Sequence, residues 1–303
     1  MKILTAIDKF MNEQLIRRNS SATIDYYRIA LDKFVVFVGS DLEHHELTLE
    51  LYKAYTLHLL YDTELRSVSV NSYLRALRSF YNYLIDEELL PDFSRKLRLV
   101  KQDKTLIRPL SDAEASKLLG CFEEDTVLGL RNKCIVVLML DSGLRLSEVT
   151  RLQLGDVFLD SNYILVNGKG SKQRIVPIGQ NCKRLLSTYI ATVRTHARSS
   201  APLFVSKYNE KPITQNAIHC FFEDLKKQLG IPRLYPHLLR HTFATMYIID
   251  GGNLETLRVI LGHSTIAITQ IYLHLAANYQ LAYQSHQSHL DLLNKNTKPH
   301  SKE

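Results

Sequence analysis

Residues 237–241 read His-Leu-Leu-Arg-His, residues 261–264 read Leu-Gly-His-Ser, and Tyr272 lies nine positions after His263. From about residue 214 onward the apolar residues recur at helical spacing, with glycine or proline at the breaks. This stretch therefore predicts a mostly helical unit. Its arginine, histidine and tyrosine side chains are types that bind phosphate, move protons and attack phosphorus.

Two upstream segments supply further cations. Residues 143–148 read Gly-Leu-Arg-Leu-Ser-Glu and contain Arg145, and residues 168–174 read Gly-Lys-Gly-Ser-Lys-Gln-Arg and contain Lys169. Arg145 and Arg240 can each clamp phosphate oxygens through a planar guanidinium, although a single arginine is more often salt-bridged or at the surface. Lys169, between two glycines in a predicted hairpin turn, is a candidate general acid; alone it would be an exposed hairpin tip.

His237 and Arg240 are three positions apart on a predicted helix and project from one face, where His237 could move protons. His237 and His241 also have the spacing of a zinc helix. The intervening residues lack the glutamate of that motif, and a cationic arginine disfavours a divalent ion, so no metal site is predicted. His241 is then a packing or supporting histidine.

His263 follows Gly262 at a predicted helix start, where backbone N–H groups favour an anion. Tyr272 lies in an apolar helical segment, where a tyrosine is usually a core residue. It becomes a nucleophile only if a base or a cationic site takes its proton.

The first 100 residues predict a small all-helical domain, with helices at about 21–38, 49–61 and 69–85. A polar linker is predicted at 101–110. The second domain, 111–285, opens with the capping box Ser111–Glu114 and is predicted to be mostly α with a small antiparallel sheet. That sheet has a hairpin of 163–166 and 174–177, which 203–205 is expected to join. A polar tail is predicted at 286–303.

Five polar residues outside the motif positions are candidates for DNA contacts. The first three share one face of the third predicted helix, where they could point into a groove or form a solvated face. The other two follow Lys169 on the hairpin and suit phosphate contacts. These residues are Asn71, Arg75, Arg78, Lys172 and Arg174.

Composition favours a polyanionic partner. The 303 residues carry a net charge of +7, most of it in 111–303. The four cysteines form no C-x-x-C pair and read as reduced residues. There is no signal-peptide layout and no apolar run near the ~20 residues of a membrane span, so a cytoplasmic, soluble protein without membrane attachment is expected.

In this order the motifs resemble the tyrosine recombinase (phage integrase) family, and within it the Xer-type recombinases. The resemblance covers essentially the whole chain, since the N-terminal helices are similar to the family's SAM-like core-binding domain. It implies that Tyr272 is the nucleophile and that two arginines clamp the phosphate. It further implies that Lys169 protonates the leaving 5′ oxygen, His237 accepts the tyrosine proton and His263 bonds the phosphate. Arg145, Arg240 and Glu148 complete the implied set, with Glu148 as a supporting carboxylate.

The implied activity is site-specific recombination of double-stranded DNA through a 3′-phosphotyrosine intermediate. Resolution, integration, excision and inversion remain open. The implied assembly is a homotetramer on two DNA sites, whose C-terminal segments dock on neighbouring protomers. No P-loop or dinucleotide fingerprint is present, so no cofactor, ATP or metal is expected. The alternatives are DNA relaxation by a type IB topoisomerase, a non-catalytic DNA-binding accessory factor and a metal-dependent hydrolase.

Overall fold

The computed structural model describes residues 1–102, 107–168, 173–206 and 211–283, with side chains up to residue 281. The chain forms two compact units that divide between residues 105 and 106. This division falls inside the stretch 101–110 that the sequence predicts to be a linker.

The first unit is a four-helix domain of α1 (Ile3–Ile16), α2 (Ser21–Val38), α3 (Leu49–Tyr61) and α4 (Ser67–Asp86). The Ser20 and Thr48 side chains cap α2 and α3 by accepting hydrogen bonds from Thr23 N and Leu51 N. Helix α1 is absent from the sequence prediction. Its buried residues nevertheless recur at three and four positions, from Ile3 through Ile7 to Phe10, which is the periodicity that would have identified it.

Aromatic side chains fill the core of this first unit. Phe10 meets Phe80 edge to face with ring centroids 5.6 Å apart, and Phe34 meets Tyr55 at 4.9 Å. All four are at most 1% exposed. Each such pair adds about 0.5–1.5 kcal/mol beyond the apolar area it buries, so the unit has a rigid core of its own.

The second unit is mostly helical with one small sheet. Its elements are α5 (Asp112–Gly120), α6 (Val127–Ser142), α7 (Leu146–Val149), β1 (Val157–Phe158), β2 (Tyr163–Asn167), β3 (Gln173–Pro177), α8 (Gln180–Val193), α9 (Gln215–Leu229), α10 (Pro236–Ile249), α11 (Leu254–Leu261), α12 (Ile266–Thr269) and α13 (Ile271–Tyr283). The strands form an antiparallel sheet in the order β1-β2-β3, with Ile164 opposite both Val157 and Val176. The predicted fold class, mainly α with a small antiparallel sheet, is confirmed.

One predicted strand is placed differently. The third strand of the sheet is Val157–Phe158, not 203–205, which makes only isolated bridges through Val205 to Pro212 and through its neighbour Pro202 to Gln153. The prediction for 203–205 was therefore wrong, because a short apolar run does not specify its pairing partner. The predicted capping box is present: Ser111 Oγ accepts from Glu114 N, and Glu114 Oε2 accepts from Ser111 N.

Helix α6 runs through the core of the second unit. Its segment from Cys134 to Met139 is buried on every side, which is why the sequence reads as one apolar run there. Across the described residues, no single helix combines the length and hydropathy of a membrane span; α11 with 266–281 does so only jointly, across a bend of 99°. The α6 helix delivers its C-terminal end to the candidate site.

Candidate active site

The C-terminal ends of two helices lie at the candidate site. Helix α6 ends at Gly143 (φ 62°) and α11 ends at Gly262 (φ 65°), both in the left-handed conformation that favours glycine. A Cβ at Gly143 would lie 2.4 Å from the Phe243 ring. The last carbonyls of a helix have no intrahelical partner and lie at the negative end of its dipole. Both ends therefore attract cations.

Arg240 bridges these two helix ends. It projects from the first turns of α10, and its Nη1 donates to Gly143 O at 2.6 Å while its Nη2 donates to Leu261 O at 2.8 Å. The side chain is 1% exposed, its Nε has no hydrogen-bond partner, and no carboxylate of the described residues pairs with it. Burial, and secondarily the charge of Arg145, lowers the pKa of Arg240 to about 10. Arg240 is thus a desolvated cation held by neutral oxygens and lacking a counter-charge.

Arg145 precedes α7 and is tied to Glu148. Its backbone N–H donates to Glu148 Oε2 at 2.8 Å, and its Nη1 donates to Glu148 Oε1 at 3.0 Å. About a third of the Arg145 side chain, 36%, remains exposed. Arg145 therefore presents a positioned guanidinium edge to solvent, whereas Arg240 is enclosed.

Arg174 also contacts Glu148. Its Nη1 and Nη2 donate to the two Glu148 oxygens, both at 2.9 Å, and its Nε donates to Ile260 O at 2.7 Å. The side chain is only 9% exposed. Three of its five N–H donors are used inside the unit, so the structure gives Arg174 a supporting role and a direct DNA contact by it stays a prediction.

Glu148 joins the two arginines and has the geometry of a supporting carboxylate. It is 7% exposed, and burial alone would raise its pKa. The hydrogen bonds and charge of Arg174, with a smaller contribution from Arg145, outweigh burial and hold the pKa of Glu148 below its usual range. Glu148 is therefore ionised and fixes the Arg145 backbone.

His263 contacts Arg240 directly. Its Nε2 lies 2.9 Å from Arg240 Nη2, and its Nδ1 lies 2.9 Å from Thr269 Oγ1. A guanidinium has no acceptor, so Nε2 must accept and Nδ1–H donates to Thr269. Burial, and then the charges of Arg240 and Arg145, lowers the pKa of His263 to about 4, so the ring is neutral.

The backbone of His263 differs from the sequence prediction. Its N–H donates to Arg258 O at 3.1 Å in the turn that ends α11, and the next helix begins only at Ile266. An anion site on a helix start at His263 was therefore wrongly predicted. The imidazole, not the backbone amide, faces the site.

Tyr272 is buried beside this cluster. It is 1% exposed, and its hydroxyl lies 3.2 Å from His241 Nδ1. Its ring is nearly parallel to that of His263, with 9° between the planes and 6.4 Å between the centroids. Burial raises the pKa of Tyr272, and the charge of Arg240 opposes that rise. The hydroxyl is therefore protonated at neutral pH but lies in a cationic environment.

The two histidines of α10 form a stack. Their ring centroids are 4.8 Å apart, with 19° between the planes. Of the two, His241 contacts the Tyr272 hydroxyl, and burial together with His237 and Arg240 lowers the pKa of His241 to about 4. Loss of hydration likewise lowers the pKa of His237. Sequence reasoning gave His241 only a packing or supporting role, although its spacing from His237 placed it on the same helix face.

The remaining predicted residues fall into three groups. Lys169 and Lys172 lie outside the described residues. Arg75 and Arg78 are exposed on α4 of the first unit. Asn71, on the same helix, is 2% exposed, and its amide exchanges two hydrogen bonds of 2.8 Å with the Val100 backbone. The prediction of a DNA contact by Asn71 was wrong, because this side chain fixes the chain after α4.

Of the described residues, one group of three has the spacing to hold a metal ion, and it belongs to the first unit. It consists of Glu43, His44 and His45, whose ligand atoms lie within 4.8 Å of one another. The candidate active site belongs to the second unit and is built instead from cations, neutral imidazoles and a tyrosine. Such a set suits an anionic phosphodiester.

A mostly helical unit that brings a tyrosine, two arginines and three histidines together has the composition of a phosphoryl-transfer site with a tyrosine nucleophile. Residues 108–279 match the phage integrase family, and residues 6–90 match its N-terminal SAM-like domain. The chain belongs to the phage integrase family, and the resemblance to Xer-like tyrosine recombinases is confirmed.

Curated relatives agree along nearly the whole chain. Tyrosine recombinase XerC of Bacillus pumilus (strain SAFR-032) is 33% identical over 289 residues, covering 90% of this chain and 92% of the relative. XerC of Staphylococcus aureus (strain USA300) is 31% identical over 280 residues, which cover 90% of this chain and 93% of that relative. This membership supports a DNA strand transferase that acts in site-specific recombination.

Solved structures show the same fold. The XerA recombinase is 28% identical, with a TM-score of 0.52 over 93% of this chain and 99% of that one. The Tn1549 transposon integrase in complex with transposon right end DNA is 18% identical, with a TM-score of 0.75 over 97% and 98%. At that identity the second likeness concerns the fold alone.

Proposed function

We propose that this chain cleaves and rejoins DNA strands at specific sites through covalent attachment of Tyr272 to a 3′ phosphate. The observation that carries the proposal is the pairing of the Tyr272 hydroxyl with a neutral histidine beside Arg240, a buried arginine without a carboxylate partner. A scissile phosphate would supply the missing counter-charge. The hydroxyl oxygen attacks phosphorus, the bond to the 5′ oxygen breaks, and a free 5′ hydroxyl leaves.

The proposed roles follow from charge and position for the described residues, and from the family resemblance for Lys169. Arg145 and Arg240 neutralise the non-bridging oxygens, where charge grows in the transition state. Lys169 supplies the proton to the 5′ oxygen. The tyrosine proton passes to the histidine stack, in which His241 is the nearer ring and His237 lies behind it. To bond the phosphate, His263 must carry a proton on Nε2, as the other neutral tautomer or as the imidazolium, because Nε2 accepts from Arg240 in the arrangement described above.

The proposed reaction needs neither ATP nor a metal ion. The phosphotyrosine bond retains the energy of the phosphodiester, so a 5′ hydroxyl of a partner strand can reverse the step. The guanidinium groups provide the charge stabilisation that a divalent ion supplies in other nucleases.

The proposed partner is a pair of double-stranded DNA sites held by four protomers, with the C-terminal segment of each protomer docking on a neighbour. Support comes from related folds captured on DNA, namely the XerH recombinase bound to difH substrate and a lambda integrase dimer bound to a core site. Both are under 25% identical to this chain, so they support the architecture and leave the target sequence to experiment.

A nicked suicide substrate tests the proposal. A duplex sequence is first selected from a random library by its binding to the protein. It is then nicked beside the cleavage position, so that the short fragment with the free 5′ hydroxyl diffuses away and the covalent adduct accumulates. Wild-type protein and Tyr247→Phe, a control on α10, should form a covalent adduct that resists EDTA, whereas Tyr272→Phe should form none. Binding without an adduct would favour an accessory factor, and rapid relaxation of plasmids without the selected site would favour a topoisomerase. Activity abolished by EDTA would indicate a metal-dependent hydrolase; each of these results overturns the proposal.

A further inference from the structure

A cavity lies at the opposite end of α6 from the candidate active site. The cavity has a volume of about 850 Å³ and is lined by the first turn of α6, the end of α8 and one face of α9. Helix α6 has 16 residues, so this end is about 24 Å from the Gly143 end that holds Arg240. The proposed strand transfer uses none of the residues that line it.

Two arginines line this cavity, and neither pairs with a carboxylate of the described residues. Arg194 is 5% exposed, its side chain has no hydrogen bond or ion pair with the described residues, and its Nε is buried and unpartnered. Arg131 bonds only to neutral oxygens, Val205 O and Asn132 Oδ1, each at 2.8 Å. Glu123 also lines the cavity, but it is exposed and pairs with neither arginine. Among the described lining residues, neither guanidinium is therefore neutralised by a carboxylate.

The rest of the lining is largely apolar. The Phe122 and Phe221 rings lie 6.0 Å apart at 45° to each other, and Val193 and Leu225 extend the same wall. An isolated buried guanidinium is unfavourable unless an anion meets it. A volume of this size is typical of small-molecule sites, which combine apolar walls with a few placed polar groups.

We propose that this cavity binds a small organic anion, with one carboxylate, sulfonate or phosphate group against Arg194 and an aromatic or branched apolar body against Phe122 and Phe221. The site is independent of strand transfer, because it shares no residue with the Tyr272 cluster. The apolar body distinguishes its ligand from inorganic phosphate, and the enclosed volume distinguishes it from duplex DNA.

Fluorescence titration with anilinonaphthalene sulfonate, an aromatic anion, tests this proposal on the full chain. Wild-type protein should bind one probe saturably, benzoate should displace it, and inorganic phosphate at the same concentration should not. Arg194→Met should weaken probe binding about tenfold or more, since it removes a charge-assisted contact. Arg184→Met, on the same helix with a side chain 61% exposed, is the matched control and should bind as wild type does.

A second variant keeps both arginines. Val193→Trp should place an indole in the cavity beside Arg194 and weaken probe binding while the fold is retained. Without ligand, Arg194→Met should melt at or above the wild-type temperature, because it removes an unpaired buried charge. Absence of saturable binding, equal displacement by inorganic phosphate, displacement by duplex DNA, or binding unaffected by either variant would each overturn the proposal.

Discussion

Among the described residues, buried arginines occur only in the second unit, while both units have exposed ones. In the first unit, Arg75 and Arg78 are exposed on α4, whereas in the second unit Arg240 is 1% exposed and Arg174 is 9% exposed. An exposed arginine remains hydrated and contributes mainly to association with a polyanion. A desolvated arginine interacts with a developing charge in a low dielectric, where the same contact is much stronger. We therefore expect the exposed arginines to contribute to DNA association and the buried Arg240 to contribute to transition-state stabilisation.

The second unit contains a further contrast between two of its enclosed arginines, Arg174 and Arg240. Arg174 makes a double hydrogen bond to Glu148, while Arg240 bonds to carbonyl oxygens and leaves its Nε unpaired. Arg174 is therefore already neutralised and holds α11 and β3 to Glu148. Arg240 has no carboxylate partner among the described residues and could therefore pair with a phosphate. In this arrangement Tyr272 and Arg240 are both 1% exposed, so side chains around them must shift before a DNA phosphate contacts them.

The largest effect is expected from Arg240→Lys. A lysine cannot span Gly143 O and Leu261 O or present a planar fork, so the adduct rate should fall about 10²–10³-fold. DNA affinity should change little, since most association comes from exposed cations. Single-turnover cleavage and filter binding measure the two quantities. Arg151→Lys, at an exposed position, is the control; an equal loss of affinity and rate would contradict the assignment of Arg240 to the transition state.

Glu148→Gln should have the next largest effect, on stability. The substitution leaves Arg174 buried without its counter-charge, and breaking a buried pair destabilises by about 3–5 kcal/mol. Urea denaturation should show this loss in the free energy of unfolding. The double variant with Arg174→Gln should lose less than the sum of the two single variants, because the two groups form one pair. Additive losses would mean that the contact has no energetic coupling.

The sequence could indicate the candidate segments because each motif is a short local pattern and their order along the chain matches a known family. The inward position of Arg174 could also have been predicted from the sequence. Arg174 lies two residues before the buried Val176 on β3, so both side chains point to the same side of the strand. The position of Asn71 was not accessible, since spacing on α4 does not reveal that the chain at Val100 returns to cover that face. The Tyr272–His241 contact likewise depends on how α13 crosses α10, which no local pattern specifies.

Acid should destabilise the second unit through its buried histidines. The pKa of both His241 and His263 is lowered to about 4 in the folded chain from an ordinary value of 6.5, so the fold favours the neutral rings. Between these values the unfolded chain binds more protons, and stability therefore falls as pH decreases from about 6.5 to about 4. His241→Phe should show a shallower decline in melting temperature over this range, and exposed His196→Phe should follow wild type. A decline unchanged by His241→Phe would contradict the neutral state of that ring.

The smallest effects are expected from substitutions on α4. There, exposed arginines should affect DNA binding, whereas the buried Asn71 should affect stability. Arg75→Gln and Arg78→Gln should each weaken DNA binding for all sequences and reduce the slope of log affinity against log salt by about 1, with stability nearly unchanged. Asn71→Ala should do the reverse, lowering the free energy of unfolding by about 1–3 kcal/mol because Val100 N–H and C=O lose their partners, while the salt slope stays constant. If the arginine variants leave the salt slope unchanged, the exposed face of α4 is an ordinary solvated surface. The contrast between exposed and buried arginines would then no longer correspond to separate roles in DNA association and catalysis.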